Sequence, residues 1–306
     1  MKKAGAGKKR IGVIMGGLSS EREISLLSGA AIVKELKSRG ENVVAIDLKA
    51  RSVEKIEKAG IDVAFIALHG TFGEDGVIQG ILEFLGIPYT GSGVLASALG
   101  MNKVKTKEML AFNKIPTAAW RVIGGKKELK ALTLKYPVVF KPVSEGSSVG
   151  VYIVKNEKEA LKCFSAARKY GPVLAEEFIK GKEITVPVFC GRTLPIIEIV
   201  PANEFYDYES KYTEGMSNHI IPARITAAES RLAQKTALEV HECVGCRDYS
   251  RVDMIVAGGK VCVIEINTLP GMTSLSLFPD AAKKAGISFY DMIMTLVNKA
   301  LARSGK

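Results

Sequence analysis

A chain of 306 residues with 47% apolar and 25% charged positions can bury a large core, and its length suits two or three packed units rather than one. It contains no run of about eighteen apolar residues, which excludes a membrane-spanning helix. The net charge of +11 raises nucleic-acid binding, but Lys2, Lys3, Lys8, Lys9 and Arg10 carry five of those charges in one short run, and no zinc finger, RNP-like motif or basic heptad region follows.

Residues 1–10 read as a disordered tail. Their basic start resembles that of a signal peptide, but the next segment, IGVIMGG, is too short for an apolar signal core and reads as a first strand. Strand and helix then alternate: a helix from about Glu21 to Arg39, the strand NVVAIDL, a short helix, the strand IDVAFIAL, another helix and the strand IPYTG. This is a parallel α/β pattern, in which ligands gather at the carboxyl ends of strands. After the first strand, GGLSSEREIS gives Ser20 and Glu23 the spacing of a capping box; Gly16-Gly17 lacks the G-x-G-x-x-G arrangement of a dinucleotide site. After the third strand, HGTFGEDGVIQG opens with His69, one of three histidines, which serves either a site or the local structure.

From about Gly100 the pattern changes. MNKVKTKEMLAFNK is a basic helix, and YPVVFKPVSEGSSVGVYIV gives two strands around a Ser/Gly loop. Consecutive backbone N–H groups in such a loop can close over phosphates, and the same composition also suits a mobile hairpin tip. GPVLAEEFIKGKEITVPVF gives another strand pair, and the polar and aromatic residues 202–222 have the length and composition of a lid.

The most informative stretch is RVDMIVAGGKVCVIEIN. Alternation places Glu265 and Asn267 on one side of a strand, and Gly258-Gly259 is a ready hairpin turn that brings Asp253 beside them. Three oxygen-bearing side chains without His or Cys suit magnesium or manganese rather than zinc; an acidic strand edge facing solvent is the alternative. The five cysteines are scattered and odd in number, which points to reduced thiols and a cytoplasmic protein. Cys243 and Cys246, with His241 nearby, lack a second ligand pair and read as helix-end cysteines.

Five stretches in order, GGLSSEREIS, HGTFGEDGVIQG, FKPVSEGSSVGV, FYDYESKY and RVDMIVAGGKVCVIEINTLPGMTS, resemble the D-alanine–D-alanine ligase family of ATP-grasp enzymes, from about Ile11 to the last helix. The resemblance implies an N-terminal parallel α/β domain (1–99) followed by a two-part α+β ATP-grasp fold (100–185 and 186–306). Strand pairs at 138–153 and 173–190 would face those of 251–267 across ATP. It implies ATP-dependent joining of two D-alanines through a D-alanyl phosphate, for peptidoglycan precursors. A D-alanine–D-lactate ligase, or another ATP-grasp carboxylate–amine ligase, is the alternative.

The resemblance also implies roles for single residues. Asp253, Glu265 and Asn267 would hold two Mg2+ or Mn2+; Lys103, Lys141 and the lid lysine Lys211 would contact phosphates; Ser147 and its neighbours would cover them. Glu176 and Glu183 would meet adenine and ribose. Glu21 would hold the first substrate's ammonium, His69 would lie near its carboxylate, and Ser276 and Leu277 would face the second substrate. Arg251 and the N–H of Gly271 would stabilise the oxyanion, and Tyr212 would join a network with Ser147 and Glu21. The expected partners are D-alanine and ATP, with a homodimer and with neither nucleic acid nor membrane. Two departures from the family pattern bear on the second-substrate pocket: Asp248-Tyr249-Ser250, and Leu275 where many members have histidine.

Overall fold

The computed structural model describes residues 8–201, 217–273 and 275–304. Strands β1 (Ile11–Gly16), β2 (Val43–Leu48) and β3 (Val63–Ile66) form a parallel sheet in the order β2-β1-β3. All six residues of the central strand β1 are buried, as expected for a strand covered on both faces. IPYTG adds only an isolated bridge, Ala64 to Tyr89, rather than a strand. Residues 8–10 are also more ordered than a free tail, because the Arg10 N–H donates to Asp62 (2.7 Å) and the Lys8 ammonium meets Glu41 (3.1 Å).

The capping box expected of Ser20 and Glu23 does not form. The helix Arg22–Ser38 takes Glu21 as its N-cap residue, so Glu23 sits one position too early to close the box. Ser19 organises the entry instead: its hydroxyl accepts from the Glu21 N–H (3.2 Å) and donates to the His69 carbonyl (2.7 Å). One serine thereby ties together the loops that follow β1 and β3.

Two antiparallel sheets follow. Strands β4 (Trp120–Ile123), β5 (Val138–Pro142), β6 (Tyr152–Val154) and β7 (Val173–Glu177) run in the order β4-β7-β5-β6. Strands β8 (Lys182–Phe189), β9 (Arg192–Thr193), β10 (Ile197–Pro201), β11 (Ser217–Ile220), β12 (Tyr249–Ala257) and β13 (Lys260–Asn267) form the larger sheet, ordered β11-β10-β8-β12-β13 with β9 on β8.

The expected pair at 173–190 is therefore split between the two sheets. Val173 and Ala175 of β7 join the core of the smaller sheet, whereas Ile184, Val186 and Val188 of β8 join the core beneath the helix Ala227–Val244. The boundary expected at 185/186 falls inside β8, and the chain crosses between sheets at residues 178–181. A Cβ on Gly181 would lie 2.4 Å from the Val256 carbonyl oxygen, so this crossing runs too close to β12 for any side chain.

The β12–β13 hairpin turns at Gly258 and Gly259, both with positive φ (56° and 77°), the conformation that a two-residue hairpin loop demands. The helices Leu277–Lys284 and Phe289–Arg303 then return to the parallel sheet. Met292, Ile293, Leu296, Val297 and Ala300 enter the same core as Val13, Ile32 and Phe65. Among the described residues no helix is long and apolar enough to cross a membrane.

Candidate active site

The strand pair β12–β13 supplies the acidic centre. Asp253 and Glu265 are directly opposed in the ladder, as are Arg251 and Asn267, and the register shifts immediately after Asp253. Asp253 is buried, and its carboxylate accepts from the Arg251 Nε (3.0 Å) and Nη2 (2.9 Å) and from the Thr185 hydroxyl (2.5 Å). Thr185 is the partner of Asp253 on its other side, in β8. Glu265 lies 3.6 Å from the Lys103 ammonium, and the Asn267 carboxamide oxygen accepts from the Leu269 N–H (2.9 Å).

Among the described residues no three His, Cys, Asp or Glu side chains form a metal cage. Two carboxylates and a carboxamide instead make a partial set of oxygen donors. That fits magnesium or manganese, which bind proteins through one or two carboxylates and take their remaining ligands from water and phosphate.

Two cavities meet at this centre. The larger, about 420 Å³, lies between the two antiparallel sheets, lined on one side by Val139, Lys141 and Glu176 and on the other by Asp253, Ile255 and Glu265, with Glu183 also at its wall. The smaller, about 110 Å³, lies between Arg251 and Asn267 and the loops after β1 and β3. Lys103, Glu145, Gly146 and Glu265 line both. Every predicted site residue within the described chain lines one or the other. Lys211 and Tyr212 lie outside the described residues, as does most of the expected lid at 202–222.

In the smaller cavity the buried Glu21 carboxylate accepts a hydrogen bond from the Ser147 hydroxyl. Gly70 and Gly146 approach the same carboxylate so closely that a Cβ would lie 2.7 Å and 2.9 Å from its Oε2. Ser147 and Ser148 both occupy the left-handed region (φ 49° and 59°), unusual for consecutive non-glycine residues and a mark of a loop held in place by its surroundings. His69 sits between Glu74 (Nδ1 to Oε1, 3.7 Å) and the Ser28 hydroxyl (Nε2 to Oγ, 3.3 Å), and Ser28 also accepts from the Met272 N–H (3.3 Å). Ser276 accepts from the Thr273 N–H (3.0 Å), and its Oγ would be 2.9 Å from a Cβ on Gly271. The exposed Leu275 stands at the mouth.

In the larger cavity the buried Glu176 carboxylate lies between two ammonium groups, those of Lys141 and Lys107, the latter at 2.5 Å. Burial pushes the Glu176 carboxyl up, but the pull of the Lys141 and Lys107 ammonium groups outweighs it and holds the group below the usual carboxylate range. Lys107 escaped the reading of the sequence. The available clue was its position four residues after Lys103 in NKVKTK, which puts both lysines on one face of the helix Lys103–Phe112.

Comparison with known proteins decides the family. The family model described as D-ala D-ala ligase C-terminus matches residues 95–298, and the one described as D-ala D-ala ligase N-terminus matches residues 49–92. The chain belongs to the D-alanine–D-alanine ligase family. Its relatives include the D-alanine–D-alanine ligases of Desulforudis audaxviator, 49% identical over 96% of this chain and 99% of that one, and of Geotalea uraniireducens, 49% identical over 95% and 96%. Among solved structures, D-alanine–D-alanine ligase from Bacillus anthracis superposes with a TM-score of 0.86 at 39% identity, covering 97% of this chain and 99% of that one. A D-alanine–D-alanine ligase from Bacillus anthracis complexed with ATP gives 0.85 at 35% identity, with the same coverage. The fold is the ATP-grasp fold, and the two antiparallel sheets with the cleft between them are its clasp.

Proposed function

We propose that the chain joins two D-alanines to D-alanyl-D-alanine with cleavage of ATP to ADP and phosphate, supplying peptidoglycan precursors. Beyond family membership, one observation carries this reading: a nucleotide-sized cleft and a small polar pocket share a wall of Lys103, Glu145, Gly146 and Glu265. A γ-phosphoryl group at the end of the cleft would there meet a carboxylate held in the pocket. Positioning of this kind is most of what phosphoryl transfer needs.

In the first step a carboxylate oxygen of the first D-alanine attacks the γ-phosphorus of ATP, the bond to the β–γ bridging oxygen breaks, and D-alanyl phosphate and ADP result. Lys103, Lys141 and Lys211 hold the phosphates, Ser147 and its neighbours cover them, and Glu176 and Glu183 line the adenosine end. Asp253, Glu265 and Asn267 hold two Mg2+ or Mn2+ ions, which when bound neutralise the charge that transfer concentrates. Glu21 holds the first substrate's ammonium group, with His69 near its carboxylate.

In the second step the free amine of the second D-alanine, placed by Ser276 and Leu277, attacks the acyl carbon, and phosphate leaves with its bridging oxygen. Arg251 and the Gly271 N–H donate to the oxyanion that forms between attack and departure. The 202–222 segment excludes water, which would otherwise hydrolyse the acyl phosphate, and Tyr212 joins Ser147 and Glu21 in the network that closes it over the amine acceptor.

The deciding experiment is release of phosphate from ATP and magnesium as a function of added D-alanine, with L-alanine and D-lactate as parallel arms. Dependence on D-alanine with D-alanyl-D-alanine as product supports the reading, equal service by L-alanine overturns it, and preferred use of D-lactate as acceptor would select the depsipeptide alternative. The five cysteines are all free thiols, which supports a cytoplasmic location. We also infer a homodimer. The apolar surface of exposed Val77 and Phe84 with Ile81 beside them supports it, and sedimentation would test it.

A further inference from the structure

We infer that Lys107, which no step of the ligation uses, is a positioning residue for nucleotide binding: through Glu176 it keeps the Lys141 ammonium available to the phosphates. The inference rests on ATP occupying the cleft between the two antiparallel sheets.

Lys107 is 1% exposed and cannot itself reach a ligand. Its ammonium lies 2.5 Å from the Glu176 Oε1 and donates to the Thr117 hydroxyl (2.7 Å), which in turn donates to the Val263 carbonyl in β13 (2.8 Å). Lys141 meets the other oxygen of the same carboxylate, and unlike Lys107 it lines the cavity. One helix thus presents Lys103 directly to the junction of the two cavities and, one turn later, sets Lys107 behind Glu176.

The charge balance gives this arrangement its effect. Two ammonium groups on one carboxylate leave the triad with a net positive charge, and the cationic member facing the cavity is Lys141. Without Lys107 the whole carboxylate charge falls on Lys141, and the cavity-lining end of the triad becomes a neutral pair with little attraction for phosphate. Burial pulls Lys107 below the ordinary lysine range, and the Glu176 carboxylate offsets part of that pull.

The test is the affinity of the full chain for ADP with Mg2+, measured by calorimetry, together with separate KM values for ATP and D-alanine. Lys107→Met should weaken ADP binding and raise the ATP KM by about tenfold or more, the effect of losing one hydrogen bond to a charged group, with the D-alanine KM little changed. Adding Glu176→Gln to that variant should restore much of the affinity by freeing Lys141, although Glu176→Gln alone gives no gain. Thr117→Val, which loosens Lys107 without altering any charge, should shift ADP affinity in the same direction by less, and serves if Lys107→Met does not fold. Unchanged ADP affinity in these variants, equal losses from Glu176→Gln in both backgrounds, or a D-alanine KM that rises in step with that of ATP would overturn the proposal. Wild-type chain that binds no ADP would overturn the ligase reading itself and this proposal with it.

Discussion

Asp253 and Glu265 face each other across the β12–β13 ladder, as partners in the last pair before the register shifts. Direct opposition brings two carboxylates to one spot on the sheet, where like charges repel unless a cation lies between or beside them. The Arg251 guanidinium engages Asp253 and the Lys103 ammonium stands near Glu265, so the pair is already partly compensated by protein cations.

If Glu265 holds metal as proposed, Glu265→Gln should reduce turnover by about a hundredfold or more, because a carboxamide cannot supply the charge of a carboxylate ligand. Its side chain is partly exposed, so thermal unfolding should barely move. Phosphate release at saturating magnesium checks the first expectation, and wild-type turnover there would remove Glu265 from the site.

Arg251→Lys should lower the rate while leaving the ATP KM near its wild-type value. Lysine cannot reproduce the two parallel hydrogen bonds that fix the guanidinium plane against Asp253. Steady-state kinetics with each substrate varied in turn would separate the two effects, and a change confined to ATP would show that the oxyanion role is misplaced.

Gly271→Ala should raise the KM for the second D-alanine several-fold. The added methyl would sit 2.9 Å from the Ser276 hydroxyl, which must move and release the Thr273 N–H it now accepts from. An unchanged D-alanine saturation curve would show that the Ser276 hydroxyl is not part of that pocket.

Acid should destabilise the fold partly through His241. Burial lowers its pKa, so the folded state favours the neutral ring, whose Nδ1 lies 2.7 Å from the Ser250 hydroxyl. The unfolded chain then binds more protons below the ordinary histidine value of about 6.5, so this contribution is fully present above that pH and is lost as pH falls through the lower folded value. Urea midpoints measured from pH 7.5 down to about pH 5 should fall less steeply in His241→Gln than in wild type. Parallel curves would remove His241 from the effect.

Some of the site was legible because its logic is local. Period-two alternation puts Glu265 and Asn267 on one face and the Gly-Gly turn brings the strand of Asp253 alongside, both from neighbours in sequence. The register of that turn, however, would pair Asp253 with Ile264, and the shift between Asp253 and Met254, which no local signal announced, is what sets it opposite Glu265. Lys107 was not legible in the same way, because its partner Glu176 is 69 residues away and nothing near either residue announces the other. Strand patterning likewise revealed β7 and β8 but not their separation, since alternation reports a half-buried strand and is silent on which core it buries against. The capping box failed for a related reason: Ser19, next to the expected cap, bonds a loop that arrives from 50 residues further on.

The return of the helix Phe289–Arg303 to the parallel sheet bears on how the protein is made. Strands β1 to β3 leave the ribosome first, yet the apolar face they present is covered by Met292, Ile293, Leu296 and Val297, which are translated more than two hundred residues later. At synthesis rates of about 5–20 residues per second, that face waits on the order of ten seconds or more for its cover. During that interval the N-terminal third is exposed to chaperones, and removal of the helix Phe289–Arg303 should release it to aggregate even though the strands β12 and β13 remain intact.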